Sequence, residues 1–197
     1  KDKLSPGTFV LVDQFIDRTV KRSSSFFDTG CVAHVSMAQP VSNQLVELIY
    51  KSSLPDIHIV KNGTYLAMEG PQFSTIAESN MYRSWGCDVI GMTNLPEAKL
   101  AREAELGYAT IAMVTDFDCW HPDHEAVTVD QIIKVMHSNT DKVKKLIKSV
   151  VKNLNHISWD WNDPIYSVLD TAIITPENKR NKELMKKLET IVSRITS

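Results

Sequence analysis

Between residues 8 and 114 short apolar runs alternate with stretches of helical periodicity, and that alternation constrains the fold more than any other feature. Thr8 to Gln14 sets Phe9, Val10, Leu11 and Val12 in a row behind a Pro6-Gly7 turn, the mark of a buried strand. Ser42 to Lys51 then carries Leu45, Leu48 and Ile49 at helical spacing. Ile57 to Val60 and Thr64 to Met68 read as short strands separated by Asn62-Gly63, a pair that favours a hairpin turn. Glu69-Gly70-Pro71 ends the second of them. Thr75 stands three residues before Glu78, a capping-box spacing that starts a helix through Met81, Tyr82 and Trp85. Asp88 to Met92 is the next strand, and Pro96 to Leu106 the next helix, closed by Gly107. Tyr108 to Val114 is the most hydrophobic strand and runs directly into Asp116 and Asp118.

The rest of the chain is helical in pattern. From about Thr128, with Gln131 completing a second capping box, Val129, Ile132, Ile133 and Met136 form an apolar stripe. Polar Ser138-Asn139-Thr140 reads as a break, after which the stripe resumes through Val143, Leu146, Ile147, Val150, Val151 and Leu154. A final amphipathic helix carries Leu184, Leu188, Ile191, Val192 and Ile195. Strands alternating with helices predict a layered α/β domain, and 197 residues suit one domain, 1–197. In such folds ligands gather at the carboxyl ends of the strands, where Met92-Thr93 and Thr115 to Asp118 both stand.

Charge and cysteine usage narrow the function classes. With 22 Lys and Arg against 24 Asp and Glu, the formal net charge of -2 argues against nucleic-acid or membrane-surface partners. Lys142 to Lys148 is basic, but Val143, Leu146 and Ile147 interrupt it at helical spacing, as on a solvated helix face. Cys31, Cys87 and Cys119 form no C-x-x-C pair, which fits a reducing, cytoplasmic compartment. No apolar run is long enough to span a bilayer and no secretory signal is visible. The opening Lys1-Asp2-Lys3 lacks an initiator Met and reaches a strand almost at once, which reads as a chain without its N-terminal portion.

Four segments carry residues suited to chemistry. If the strand stays extended, Asp116 and Asp118 point to one face, where mutual repulsion keeps one of them protonated to a higher pH. Such a pair serves a leaving group that needs a proton or hydrogen bond; the alternative is a pair of loop carboxylates capping the next element. In Glu69-Gly70-Pro71-Gln72-Phe73-Ser74, Phe73 either stacks on a flat ligand beside an anion-receptive helix start or packs as a core staple. Thr93 either bonds a phosphate or sugar, or shares with Asn94 the capping of the helix near Pro96. His121-Pro122-Asp123-His124 invites a metal reading. Pro122 interrupts the helical spacing of a zinc pair and no second cluster completes a ligand set, so no metal is expected. No P-loop, G-x-S-x-G or G-x-G-x-x-G fingerprint occurs.

In their order along the chain these blocks resemble the methylthioadenosine phosphorylases of the trimeric purine nucleoside phosphorylase family. The blocks are Pro6-Gly7 with Asp13-Gln14-Phe15-Ile16-Asp17-Arg18-Thr19, His34-Val35-Ser36-Met37-Ala38, Glu69 to Ser74, Trp85-Gly86, Met92-Thr93, Pro96-Glu97, and Thr115-Asp116-Phe117-Asp118-Cys119-Trp120. The resemblance is close from Ser5 to about Asp130 and weaker beyond. It implies a three-layer α/β domain with a central mixed sheet flanked by helices, and phosphorolysis of 5′-methylthioadenosine to adenine and methylthioribose 1-phosphate. Inorganic phosphate would be co-substrate, with no cofactor.

By the same resemblance Asp116 and Asp118 are the catalytic pair, holding the purine edge with Thr115. Phe73, Ser74 and Ile90 would line the nucleoside, Met92 would lie beside the sugar, and Thr93 would contact phosphate. Val129, Ile132 and Ile133 match the apolar 5′ pocket, though all three also fit the helix's core stripe. His34 matches a residue supplied across a subunit interface, which implies a homotrimer. A carboxylate at 116, where an Asn would suit a 6-oxopurine, favours 6-aminopurines. The family's opening glycine-rich strand–loop, Arg-His pair and Thr-Ala-Cys-Gly segment, which build much of the phosphate site, are not found here. A nucleoside hydrolase, a broader 6-aminopurine nucleoside phosphorylase and an inactive nucleoside-binding fragment are the other readings.

Overall fold

In the computed structural model the described residues are 1, 3–120 and 129–196, without the side chains of Val129 and Gln131. The strand foreseen at Thr8 to Gln14 is longer, β1 (Phe9–Arg18), and it organises the molecule. β2 (Ile59–Met68) runs parallel beside it, β3 (Val89–Gly91) lies parallel beyond β2, and β4 (Ile111–Met113) flanks the other edge antiparallel. The order β3-β2-β1-β4 is therefore a mixed sheet. Side chains alternate across a strand, so β1 builds two cores. Phe9 and Leu11 meet Val46 and Ile49 of α1 (Asn43–Lys51) and Leu146 of α4 (Val129–Asn153). Val12 joins Tyr65, Ala67 and Leu95, under Ala98 of α3 (Glu97–Glu103). Leu66, on the face opposite Tyr65, packs with Tyr82 of α2 (Ile76–Ser84). The expected α/β arrangement, a mixed sheet between helices, is what the chain adopts.

The C-terminal segment builds a satellite core. α5 (Leu169–Ala172), α6 (Lys182–Lys187) and α7 (Glu189–Thr196) close over Phe27 and Cys31 with Leu169, Ala172, Leu188 and Val192. The single helix foreseen there is two, divided at Leu188, whose N–H still caps α6 on the Leu184 carbonyl while its side chain is buried.

Several local expectations are corrected by tertiary pairing. Asn62-Gly63 makes no hairpin: the residues on both sides pair in parallel with β1, from Phe9↔Ile59 to Arg18↔Met68. Asn62 takes φ 65° where the register slips, so the Asn-Gly pair shapes a bulge. Gly63 is required there because an added Cβ would stand 2.5 Å from Val10 Cγ1. The strand at Tyr108 to Val114 ladders only over Ile111–Met113, although Val12 N–H to the Thr110 carbonyl and Val114 N–H to the Thr8 carbonyl prolong its docking on β1. No break falls at Ser138-Asn139-Thr140 either. Thr140 Oγ1 donates to the Met136 carbonyl one turn back, and Asn139 is buried with Nδ2 donating to the Val114 carbonyl. The capping box at Thr128 lies outside the described residues.

Gly107 does not close α3. The left-handed residue is Glu105, φ 55°, with its N–H on the Arg102 carbonyl and the Leu106 N–H on the Ala101 carbonyl, the Schellman pairing. A side chain tolerates that strain because Glu105 is engaged elsewhere: Arg194 donates to both its oxygens, at 2.7 Å each, and the Leu169 N–H donates at 2.9 Å. Glu105→Ala should lower stability by about 1–2 kcal/mol, the scale of hydrogen bonds to a partly exposed charge. Glu105→Gly loses the same network but relieves the left-handed backbone, so it should remain about 1 kcal/mol more stable than the alanine variant. Urea midpoints of the two variants read both effects; equal midpoints would remove the strain argument.

Candidate active site

Three segments of chain each leave the carboxyl end of a strand. The turn Glu69 to Ser74 leaves β2, Met92 and Thr93 leave β3, and Thr115 to Asp118 leaves β4. They surround a cavity of about 670 Å³ lined by Phe73, Ser74, Ile90, Met92, Thr93, Thr115, Asp116 and Asp118 together. That volume is of the size that takes a drug- or nucleoside-sized molecule.

The carboxylates are not two residues on one face of an extended strand. β4 stops at Met113, and Asp118 takes φ 62°. Asp116 makes the turn: its Oδ1 accepts the Asp118 N–H at 2.8 Å, and its Oδ2 accepts the Thr115 hydroxyl at 2.7 Å. Asp118 Oδ2 accepts the hydroxyl of Ser79, reaching over from α2, at 2.6 Å. Desolvation, and after it the adjacent Asp118 charge, push the Cys119 thiol up, so it stays a donor, to the Ser74 carbonyl at 3.4 Å. The acidic turn is thereby tied to both α2 and the 69–74 turn.

That second turn is anchored from outside the cavity. Glu69 accepts the backbone N–H groups of Val20 and Lys21 and the Arg22 guanidinium. Those donors, the Val20 N–H foremost, hold its carboxyl below the usual range. Arg22 also donates to the carbonyls of Met68, Glu69 and Leu95. Downstream, the foreseen capping box is complete: Thr75 Oγ1 accepts the Glu78 N–H, and Glu78 accepts the Thr75 N–H. Phe73 between them is 74% exposed, so it is no core staple.

Thr93 does not cap α3. The N-cap is Pro96, without a side-chain bond, while Asn94 Oδ1 accepts from Tyr108 Oη and Thr110 Oγ1. The Thr93 hydroxyl and N–H instead both meet Tyr65 Oη, each at 3.3 Å. Tyr65 rises from the core of β2 to that point by crossing Gly91, where a Cβ would overlap its oxygen outright. Gly70 gives the same clearance to Met92, whose Sδ lies 2.6 Å from where a Cβ would stand.

Three expected residues, Ile132, Ile133 and His34, are not among the described residues that line the cavity. Ile132 is half-buried and Ile133 exposed on α4. The side chain of Val129 lies outside the described residues. His34 sits on the surface at some remove, its N–H on the Ala172 carbonyl. The metal candidate His121 to His124 also falls outside the described residues, and among the described ones no group of three or more His, Cys, Asp or Glu could hold a metal ion. Nor is any helix among the described residues long and apolar enough to cross a membrane.

The cavity also holds residues to which motif reading gave no role at the site: Tyr65, Ser79, Asn139 and Trp120. Two of them carried a signal. Ser79 falls three residues before core Tyr82, and Asn139 falls midway between Met136 and Val143, so each is a polar residue on an apolar stripe. Trp120 lies under the Arg83 guanidinium, 3.7 Å from the ring centroid, and edge-on to Phe117.

The chain is similar to known proteins over nearly its whole length. The sequence profile of the Phosphorylase superfamily matches residues 1–152. The S-methyl-5′-thioadenosine phosphorylase of Bradyrhizobium diazoefficiens is 57% identical over 196 residues, covering 99% of this chain and 67% of that protein. That of Rhodospirillum rubrum is 54% identical, covering 98% and 66%. Among solved structures, a methylthioadenosine phosphorylase from an antarctic soil metagenomic library superposes with TM-score 0.88 at 40% identity, over 97% of this chain and 67% of that one. The methylthioadenosine phosphorylase from Schistosoma mansoni in complex with adenine gives 0.79 at 30% identity, over 88% and 69%. The chain thus spans about two thirds of the length of these relatives. With the fold, the order of the motifs and these identities in agreement, the chain belongs to the S-methyl-5′-thioadenosine phosphorylase family of the Phosphorylase superfamily.

Proposed function

We propose that the chain forms the nucleoside side of the active site of an S-methyl-5′-thioadenosine phosphorylase. Inorganic phosphate attacks C1′, the C1′–N9 bond breaks with its electron pair leaving on the purine, and adenine and 5-methylthioribose 1-phosphate result. The observation that carries this reading is the acidic turn, Asp116 and Asp118 held by backbone and hydroxyl donors within one cavity beside Met92 and Thr93.

The roles follow from what each group offers. As the bond breaks, positive charge builds on the sugar and negative charge on the purine, so a proton offered at N7 lowers the barrier. Asp116 is that catalytic group. Asp118 and Thr115 take the rest of the purine edge, where a carboxylate accepts an exocyclic amine and repels a carbonyl. Exposed Phe73, with Ser74 and Ile90, covers the nucleoside; Met92 lies beside the sugar; Thr93 reaches phosphate. Val129, Ile132 and Ile133 would form the apolar 5′ pocket for the methylthio group, with His34 contributed across the interface of a homotrimer. Other phosphate ligands belong, by the resemblance, to the family's glycine-rich and Arg-His segments. The unit formed by 1–197 is one nucleoside phosphorylase-like domain, and free Cys31, Cys87 and Cys119 support a cytoplasmic setting.

The test is adenine or hypoxanthine release by the full-length gene product from 5′-methylthioadenosine, adenosine and inosine, with and without phosphate. Phosphate-dependent release, fastest from methylthioadenosine, is expected. Release indifferent to phosphate would make the protein a hydrolase, and preference for inosine would overturn the 6-aminopurine clamp.

A further inference from the structure

We propose that Ser79 is a positioning residue for purine selectivity, holding the Asp118 carboxylate in the rotation that receives an exocyclic amine. The proposal rests on the assignment of Asp118 to the purine edge and extends it to a residue of another element.

A serine inside a helix ordinarily turns its hydroxyl back onto its own helix, since a carbonyl lies within reach one turn earlier. Ser84 does so here, donating to the Met81 carbonyl at 2.7 Å, and Thr140 does so on α4. Ser79 is 2% exposed, and its hydroxyl goes instead to Asp118 Oδ2 at 2.6 Å, across 39 residues of sequence. A serine hydroxyl has one proton to donate, so this choice leaves it no donation to spare for its helix. The mounting of that donor is stiff. Ser79 directly follows Glu78 of the capping box, with its N–H on the Thr75 carbonyl at 2.9 Å, and Tyr82 one turn further packs into the sheet.

The acceptor, by contrast, needs holding. Asp118 stands on a left-handed residue of a turn beyond the end of β4, secured through its N–H to Asp116 Oδ1. That bond fixes the backbone and leaves the carboxylate to its side-chain partners, the Ser79 hydroxyl and the neighbouring Cys119 thiol. Cys119 belongs to the same turn as Asp118, whereas the Ser79 hydroxyl holds the carboxylate from a separate element, the helix that begins directly after Phe73 and Ser74. An acceptor aimed in advance discriminates more sharply between an amine and a carbonyl than one that rotates, because a rotating group can turn away from the wrong substrate.

The experiment compares kcat/KM for 5′-methylthioadenosine with that for its 6-oxo counterpart, 5′-methylthioinosine, in full-length protein. Ser79→Ala should reduce the 6-amino to 6-oxo ratio about tenfold, the scale of one hydrogen bond to a charged group, chiefly through KM for the 6-aminopurine. Ser79→Cys keeps nearly the same volume with a weaker donor and should lie between, which covers the case in which the alanine variant folds poorly. Asp118→Ala should lower the ratio as well, and adding Ser79→Ala to it should lower the ratio no further. If both Ser79 variants slow the two substrates equally while Asp118→Ala still lowers the ratio, Ser79 serves packing only and this proposal falls. If Asp118→Ala leaves the ratio untouched, the assignment of Asp118 to the purine edge falls with it.

Discussion

Replacing Asp116 with alanine is expected to slow phosphate-dependent adenine release from 5′-methylthioadenosine by about 10²–10⁴-fold, the range over which a positioned acid acts. The effect should appear mainly in kcat, because the N7 contact strengthens as charge develops on the leaving purine. Asp116 has a second, smaller task, since its Oδ1 holds the Asp118 N–H and its Oδ2 the Thr115 hydroxyl. Losing both loosens the turn and should also raise KM. Asp116→Asn separates the two tasks. It keeps an acceptor for the turn but offers N7 an amide N–H in place of an acidic proton, so kcat should stay low while the preference shifts toward 6-oxopurines. Near-wild-type turnover in the alanine variant would remove Asp116 from the chemistry.

Gly91→Ala should be the most damaging change of a single methyl group. Its Cβ would overlap Tyr65 Oη and stand 2.9 Å from Cζ. The ring has little room to yield, being buried with Val12, Ala67, Leu95 and Ala98 and packed edge-on against Phe15 at 6.1 Å. Overpacking of this kind costs about 1–3 kcal/mol, so the melting temperature should fall by about 3–10 °C. The displaced phenol also carries Thr93, whose hydroxyl and N–H both meet Tyr65 Oη. A shift of about 1 Å there should cost about 10²-fold in phosphate-dependent turnover. Adding Tyr65→Phe removes the first colliding atom and should restore part of the stability but not the hold on Thr93. Full stability in Gly91→Ala would overturn the overpacking of Tyr65 against Gly91.

Much of the site was legible before the fold was known, because its residues cluster where strands end. Glu69 to Ser74, Met92-Thr93 and Thr115 to Asp118 each follow an apolar run, and each falls on the cavity wall. The capping box at Thr75 was legible for the same local reason, requiring only residues three apart. Ser79 and Tyr65 were not, because the partner of each lies far away in sequence, at Asp118 and Thr93. Phe73 was open between core and ligand, and its exposure excludes the core.

The alternation of apolar runs and helical stripes determined by itself a layered α/β domain, with the acidic Asp116 and Asp118 at the end of a strand, because periodicity and turn chemistry act over a few residues. How each signal was used was decided by pairing over long distances. Asn62-Gly63 favours a left-handed turn in any context, and the parallel run of β2 beside β1 made it a bulge. Gly107 invites a helix end, yet the bonds of Glu105 to Arg194 and Leu169 moved that end two residues earlier. The two carboxylates suggested one face of an extended strand. β4 stops at Met113, so Asp116 folded back to hold the Asp118 N–H and left the Asp118 carboxylate to a serine on another helix.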